Sequence, residues 1–121
     1  QMCIRDRVVL KRHVEALHDL TPEEFVELGT IQARATRLLF DVLDCEKEYV
    51  FCLAESPGFY HIHVHLVPKP RTLPDELKAT KIFAMLKPDG EGDFVPPEEV
   101  KAFCEMLRER FNKWDDDGAT I

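Results

Sequence analysis

The spacing of apolar residues shifts along this chain, and each shift marks an element. Residues 8–11 open with Val8, Val9 and Leu10, a short β-branched run that predicts the end of a strand. A connection through His13 and His18 leads to the clearest helix start in the sequence. Thr21 is a good N-cap, Pro22 suits the first helical position, and Glu24 completes a T-x-x-E capping box. Leu20 and Phe25 are placed to close over this start as a hydrophobic staple. Leu28, Ile31, Ala35, Leu38, Leu39 and Val42 then recur at helical spacing. They predict one apolar face, ending near Asp44, with Arg34 and Arg37 towards solvent.

Residues 48–54 are dense in Tyr49, Val50, Phe51, Cys52 and Leu53 and predict a buried strand. The turn cluster Glu55-Ser56-Pro57-Gly58 joins it to a second strand over 60–67, which Pro68 and Pro70 are expected to stop. Residues 71–74 read as loop. Residues 75–86 are ambiguous, a short helix or turn placing Ile82, Phe83 and Leu86 on the core. Residues 87–94, with Pro88, Gly90 and Gly92, read as a link. A last helix begins at Pro97 with Val100, Phe103, Cys104, Leu107, Phe111 and Trp114 as its stripe, and Asp115 to Gly118 form an acidic tail. The sum is one α+β domain: an antiparallel sheet, a long helix on one face and a C-terminal helix, without internal repeats.

The chain has 121 residues, 45% of them apolar, enough for one core. A net charge of -7 argues against a nucleic-acid polymer or a membrane surface as partner, since both select clustered Lys and Arg. It leaves room for a small phosphorylated ligand. No apolar run approaches the roughly 20 residues of a membrane span, and no secretory leader is recognised. Cys3, Cys45, Cys52 and Cys104 form no CxxC pair and are expected to be free thiols of a cytoplasmic protein. Residues 1–7 (QMCIRDR) back-translate to a transposase adapter used in sequencing libraries. The expectation is that they are not native, that Val8 is the first genuine residue, and that the domain, its core in 8–71 and an extension in 72–121, lacks its first strands.

The chemistry is concentrated in His61-Ile62-His63-Val64-His65-Leu66-Val67. On a strand, successive side chains alternate faces. Ile62, Val64 and Leu66 are therefore expected in the core, with three imidazoles on the opposite face, spaced by roughly 6.6 Å. Three readings compete. Polar residues facing solvent is the bland one, but Lys or Thr would serve as well. A metal site is the second, yet no Cys, Asp or Glu follows at ligand spacing to complete it. The third is nucleophilic catalysis, because a neutral imidazole nitrogen attacks phosphorus near pH 7 and its neighbours can donate protons.

HIHVHLV resembles the signature of the histidine-triad family, His-φ-His-φ-His-φ-φ with φ apolar, at every position. KRHVEALHDLTPEE is similar to that family's strand-to-helix connection. PGFYHIHVHLVPKP followed by LPDELKATKIF is similar to a bacterial branch often labelled diadenosine tetraphosphate hydrolases. The resemblance covers residues 8–71. It implies a nucleotide hydrolase or transferase, commonly a homodimer, in which His63 attacks the α-phosphorus and forms a nucleotidyl-imidazole. It implies that His61 positions the nucleophile, that His65 contacts phosphate oxygens, and that a backbone carbonyl orients the attacking ring. Gly58 is then either a backbone donor to phosphate or simply a turn glycine. His18 is either an auxiliary active-site histidine or a surface residue, and Lys69 and Arg71 are either phosphate-attracting or solvated. No redox cofactor is implied, and a divalent cation would come with a polyphosphate substrate. The chain departs from the pattern where many members carry Ser or Gln, having Gly58-Phe59-Tyr60 before the triad. The rival readings are a nucleotide-binding regulatory module with little turnover and a His-rich metal-site protein.

Overall fold

In the computed structural model the described residues are 6–86 and 95–116, with side chains placed for 7–83 and 95–113. The long helix α1, Pro22–Leu43, starts where the sequence places it. Thr21 Oγ1 accepts the Glu24 N–H at 3.2 Å, and the Glu24 carboxylate accepts the Thr21 N–H at 2.8 Å. Arg12 locks this box from outside, donating to Glu24 at 2.7 and 3.0 Å and to the Asp19 carbonyl at 3.0 Å. The staple closes by half: Leu20 is buried, whereas Phe25 stays 46% exposed. The helix ends at Asp44, whose φ of 48° is left-handed and whose N–H reaches the Phe40 carbonyl at 2.9 Å.

Hydrogen bonding from Arg12, and then from the Thr21 N–H, holds the Glu24 carboxyl down at about 2. A carboxylate lowered on folding stabilises the fold above its unfolded value of 4.5 and loses that contribution as pH falls towards about 2. Thr21→Ala is expected to cost about 1 kcal/mol in a urea melt. Arg12→Ala should flatten the acid limb of stability across that same window. An unchanged acid limb would show that the Arg12–Glu24 pair does not form.

Three strands make one antiparallel sheet: β1, Asp6–Val9; β2, Lys47–Phe51; and β3, His63–Lys69, in the order β1-β3-β2. Each boundary differs from the sequence pattern. β1 begins two residues ahead of Val8, because backbone pairing (Asp6↔Leu66, Arg7↔His65) requires no apolar side chain. β2 stops at Phe51, and β3 starts only at His63. Between them, Pro57 and Gly58 turn the chain, with the Phe59 N–H on the Ser56 carbonyl at 2.8 Å and Gly58 at φ 80°, a conformation that selects glycine. β3 runs on through Pro68, against expectation. Among the described residues the β1 rungs run from His63 to Leu66, and β2 pairs Glu48 with Pro68.

The central strand separates two apolar layers. On the α1 side, Leu39 packs with Val64 and Leu66, and Val14 and Leu20 pack with Ile62. Val67 points to the other face, where it is buried with Leu73 and Ile82 beside Tyr49, Phe51 and Leu77. The segment left ambiguous by sequence supplies this second layer as two 3-10 stretches, Asp75–Leu77 and Ala79–Leu86. The C-terminal helix α2, Pro97–Asp116, packs on α1 more loosely than its stripe predicts. Val100 and Cys104 are exposed, and Phe103, Leu107 and Phe111 are only half-buried. Cys45 is buried and donates to Glu48, and burial pushes its thiol up to about 11. Residues 1–5, 87–94 and 117–121 lie outside the described residues, as do the side chains of Leu86 and Trp114. No helix among the described residues is long and apolar enough to cross a membrane.

Candidate active site

The alternation expected of the triad strand is present: Ile62, Val64 and Leu66 are all buried in the α1-side layer. The three histidines nevertheless occupy three different settings. His61 lies just ahead of β3 and works as a strut. Its Nδ1 accepts the Val14 N–H at 3.1 Å, and its Nε2 lies 2.7 Å from the Leu10 carbonyl. The Val14 carbonyl in turn accepts the Ile62 N–H at 2.8 Å. A carbonyl facing Nε2 can only accept, so Nε2 carries a hydrogen, while Nδ1 lies 3.1 Å from both the nitrogen and the carbonyl of Val14. His61 thus ties the connection after β1 to the start of β3, across a sequence separation of about fifty residues.

His63 is half-buried and lies opposite Val9 of β1. Its Nδ1 is 3.0 Å from the backbone carbonyl of His61. A carbonyl can only accept, so Nδ1 carries the hydrogen and Nε2 keeps a lone pair. This is the carbonyl-held orientation that the resemblance implies. His65 is 8% exposed and stands between Arg7 of β1 and Phe51 of β2. Its ring meets His63 nearly perpendicularly, at 81° and 4.6 Å between centroids.

The remaining candidates are placed apart from one another. His18 sits in the turn Leu17–Asp19 with its side chain 84% exposed, 3.7 Å from Asp19. The histidine brought to the triad is His13, which stacks on His61 at 5.1 Å and 21° and reaches Glu15 at 3.2 Å. The resemblance offered His18, not His13, as the auxiliary histidine; the fold places His18 away from the triad and His13 on it. Lys69 is buried and paired with Glu46, four residues or roughly 13 Å along the strand from His65. Arg71 pairs with Asp44 at 3.0 Å, and this contact holds the Asp44 carboxyl below its usual range. Both cations are thus engaged in ion pairs at the far end of β3. Gly58 takes the turn-glycine form. Phe83, placed on the core by its spacing, also stands with its ring 6.5 Å from that of His65, a proximity that no local pattern announces.

His61→Ala strands the Val14 N–H and the Leu10 carbonyl, and a buried polar group left unsatisfied costs about 1–3 kcal/mol. The expected result is a stability loss of about that size in denaturant unfolding. Unchanged stability would show that these two hydrogen bonds are not made.

No protein-family model matches the chain, and no curated protein does. Six solved chains match. One is the crystal structure of a zinc-bound histidine triad family protein from Mycobacterium smegmatis, 20% identical to this chain. The alignment covers 93% of this chain and 72% of that one, with a TM-score of 0.57. This chain has the α+β fold of a histidine triad protein, its described residues forming a three-stranded antiparallel sheet with two α-helices.

Proposed function

We propose that the chain is a nucleotide hydrolase or nucleotidyl transferase that acts at an α-phosphate through His63. One observation carries the reading: the His61 carbonyl takes the Nδ1 hydrogen of His63 and leaves Nε2 as a fixed nucleophile beside His65. The Nε2 lone pair forms a bond to the α-phosphorus. The bond from phosphorus to the leaving group breaks, and its electron pair departs with that group, which takes up a proton. Water then attacks the nucleotidyl-imidazole, the P–N bond breaks, and nucleoside monophosphate and neutral His63 are released. His65 stabilises charge on the phosphoryl oxygens. The substrates are dinucleoside polyphosphates or nucleoside phosphoramidates, and a polyphosphate brings its divalent cation with it. Among the described residues, no three His, Cys, Asp or Glu side chains are grouped as a metal site would need.

The test is to incubate the full chain with a nucleoside phosphoramidate, quench in alkali and map the peptides by mass. A nucleotidyl adduct on His63 is the expected result. Tight binding of nucleoside monophosphate with neither adduct nor turnover would overturn the reading and favour a binding module.

A further inference from the structure

The face of β3 that carries the histidines is closed at its far end by residues 75–86. Val67 on that face is buried against Leu73 and Ile82. Local preference does not favour the shape of this cover. Ala79 stands at φ 57°, a left-handed conformation that non-glycine residues rarely adopt. Ala79–Leu86 then continues as an eight-residue 3-10 helix, where runs beyond about four residues are uncommon. Tertiary contacts hold it in place. The Ala79 N–H donates to the Tyr49 hydroxyl at 3.2 Å, and Ile82 fills the layer beneath. Phe83 packs at 4.5 Å on Phe51, the cross-strand partner of His65. The Phe83 ring also stands at 83° to the His65 ring, 6.5 Å away, within the range of aromatic pairing. His65 in turn stands perpendicular to His63. The rings of Phe83, His65 and His63 thus form one unbroken series of contacts.

We propose that Phe83 is a positioning residue of the triad: it fixes the His65 ring against His63 and keeps water from the side of His65 facing away from the nucleophile. The inference rests on the function proposed above. The last side-chain torsion of an imidazole has broad, roughly two-fold wells, so the rings packed around it bias its angle. A neighbouring ring restricts that torsion, whereas an aliphatic side chain fills space without setting an angle.

Phe83→Ala is expected to lower kcat about 100-fold, the scale of a small misplacement of reacting groups, with little change in KM. Phe83→Tyr should restore most of the rate, and Phe83→Leu should not, although both fill the volume. In a His65→Ala background, Phe83→Ala should cost nothing further; a purely structural role would add its loss to the first. The NMR ring signals of His65 give a readout independent of turnover: they should move in Phe83→Ala and Phe83→Leu, with those of the contacting His63 ring following, while those of His61 hold. Should Phe83→Ala fail to fold, the Tyr and Leu variants carry the same comparison. Additive losses, or His65 signals that stay in place, overturn the proposal even where the His63 adduct forms. A missing adduct overturns the functional reading, and the ring signals still decide the place of Phe83.

Discussion

His63→Ala is expected to lower turnover by several orders of magnitude while the fold keeps its stability. The reason for the first half is chemical. His63 Nε2 is the attacking atom, and the substitution removes it rather than misplacing it. His65→Ala removes only a group that stabilises charge, for which about 100- to 1000-fold is the usual loss. The ratio between the two variants therefore distinguishes nucleophile from stabiliser. The reason for the second half is architectural. His63 is half-buried and belongs to none of the three apolar clusters, so its removal opens no core cavity. Its Nδ1 partner, the His61 carbonyl, sits beside that half-open position. Circular dichroism and a thermal melt on the same sample check the fold; single-turnover kinetics check the chemistry. A His63→Ala protein that retains most of its turnover would sink the assignment of the nucleophile.

What the sequence made legible was local, and what it hid was long-range. The Thr21–Glu24 box is formed within four residues, so its atoms could be inferred before any fold was known. The His/apolar alternation likewise needs only the two-residue period of a strand, and Ile62, Val64 and Leu66 are buried accordingly. The strand ends were misplaced because a ladder ends where its partner ends, a matter of register between distant segments. Pro68 is the clear case: it lies inside β3 opposite Glu48 of β2, a pairing that the sequence around it does not announce. The expectation that His18 is the auxiliary histidine failed for the same reason. The strut from His61 to Val14 and Leu10 joins segments 47 and 51 residues apart in sequence, and His13, not His18, stacks on the His61 ring. Lys69 looked available to phosphate because a sequence does not show that Glu46 waits beside it. Residues 75–86 resisted assignment because a long 3-10 run has no strong sequence signature and is held by Tyr49, Val67 and Phe51 rather than by its own propensity.

Leu66→Ala should be the most destabilising single truncation on β3 and should act through the opposite route to His63→Ala. Leu66 is wholly buried on the central strand, between Asp6 of β1 and Val50 of β2, and packs on Leu39 of α1. Truncating a fully buried leucine costs about 2–5 kcal/mol, the transfer term plus the cavity that a strand pinned on both edges cannot close. Against a domain stability of about 5–15 kcal/mol, that removes a large share of the margin. The melting temperature should fall by at least about 6 °C, since about 4–8 °C is lost per kcal/mol in a domain of about 60–100 residues and somewhat less in a larger one. The chemistry should be spared in the molecules that remain folded, because the Leu66 side chain faces α1 and His65 faces away from it. Val67→Ala supplies the contrast from the very next position. Val67 faces Leu73 and Ile82, so its truncation loosens the cover over His65 and should reduce kcat as well as stability. Denaturant unfolding and kinetics measured below the melting transition separate the two. If Leu66→Ala unfolds within about 1 kcal/mol of the parent chain, a shift typical of an ordinary substitution, then α1 is not seated on β3 through Leu39 and Leu66. The strand that presents His63 would then need another support.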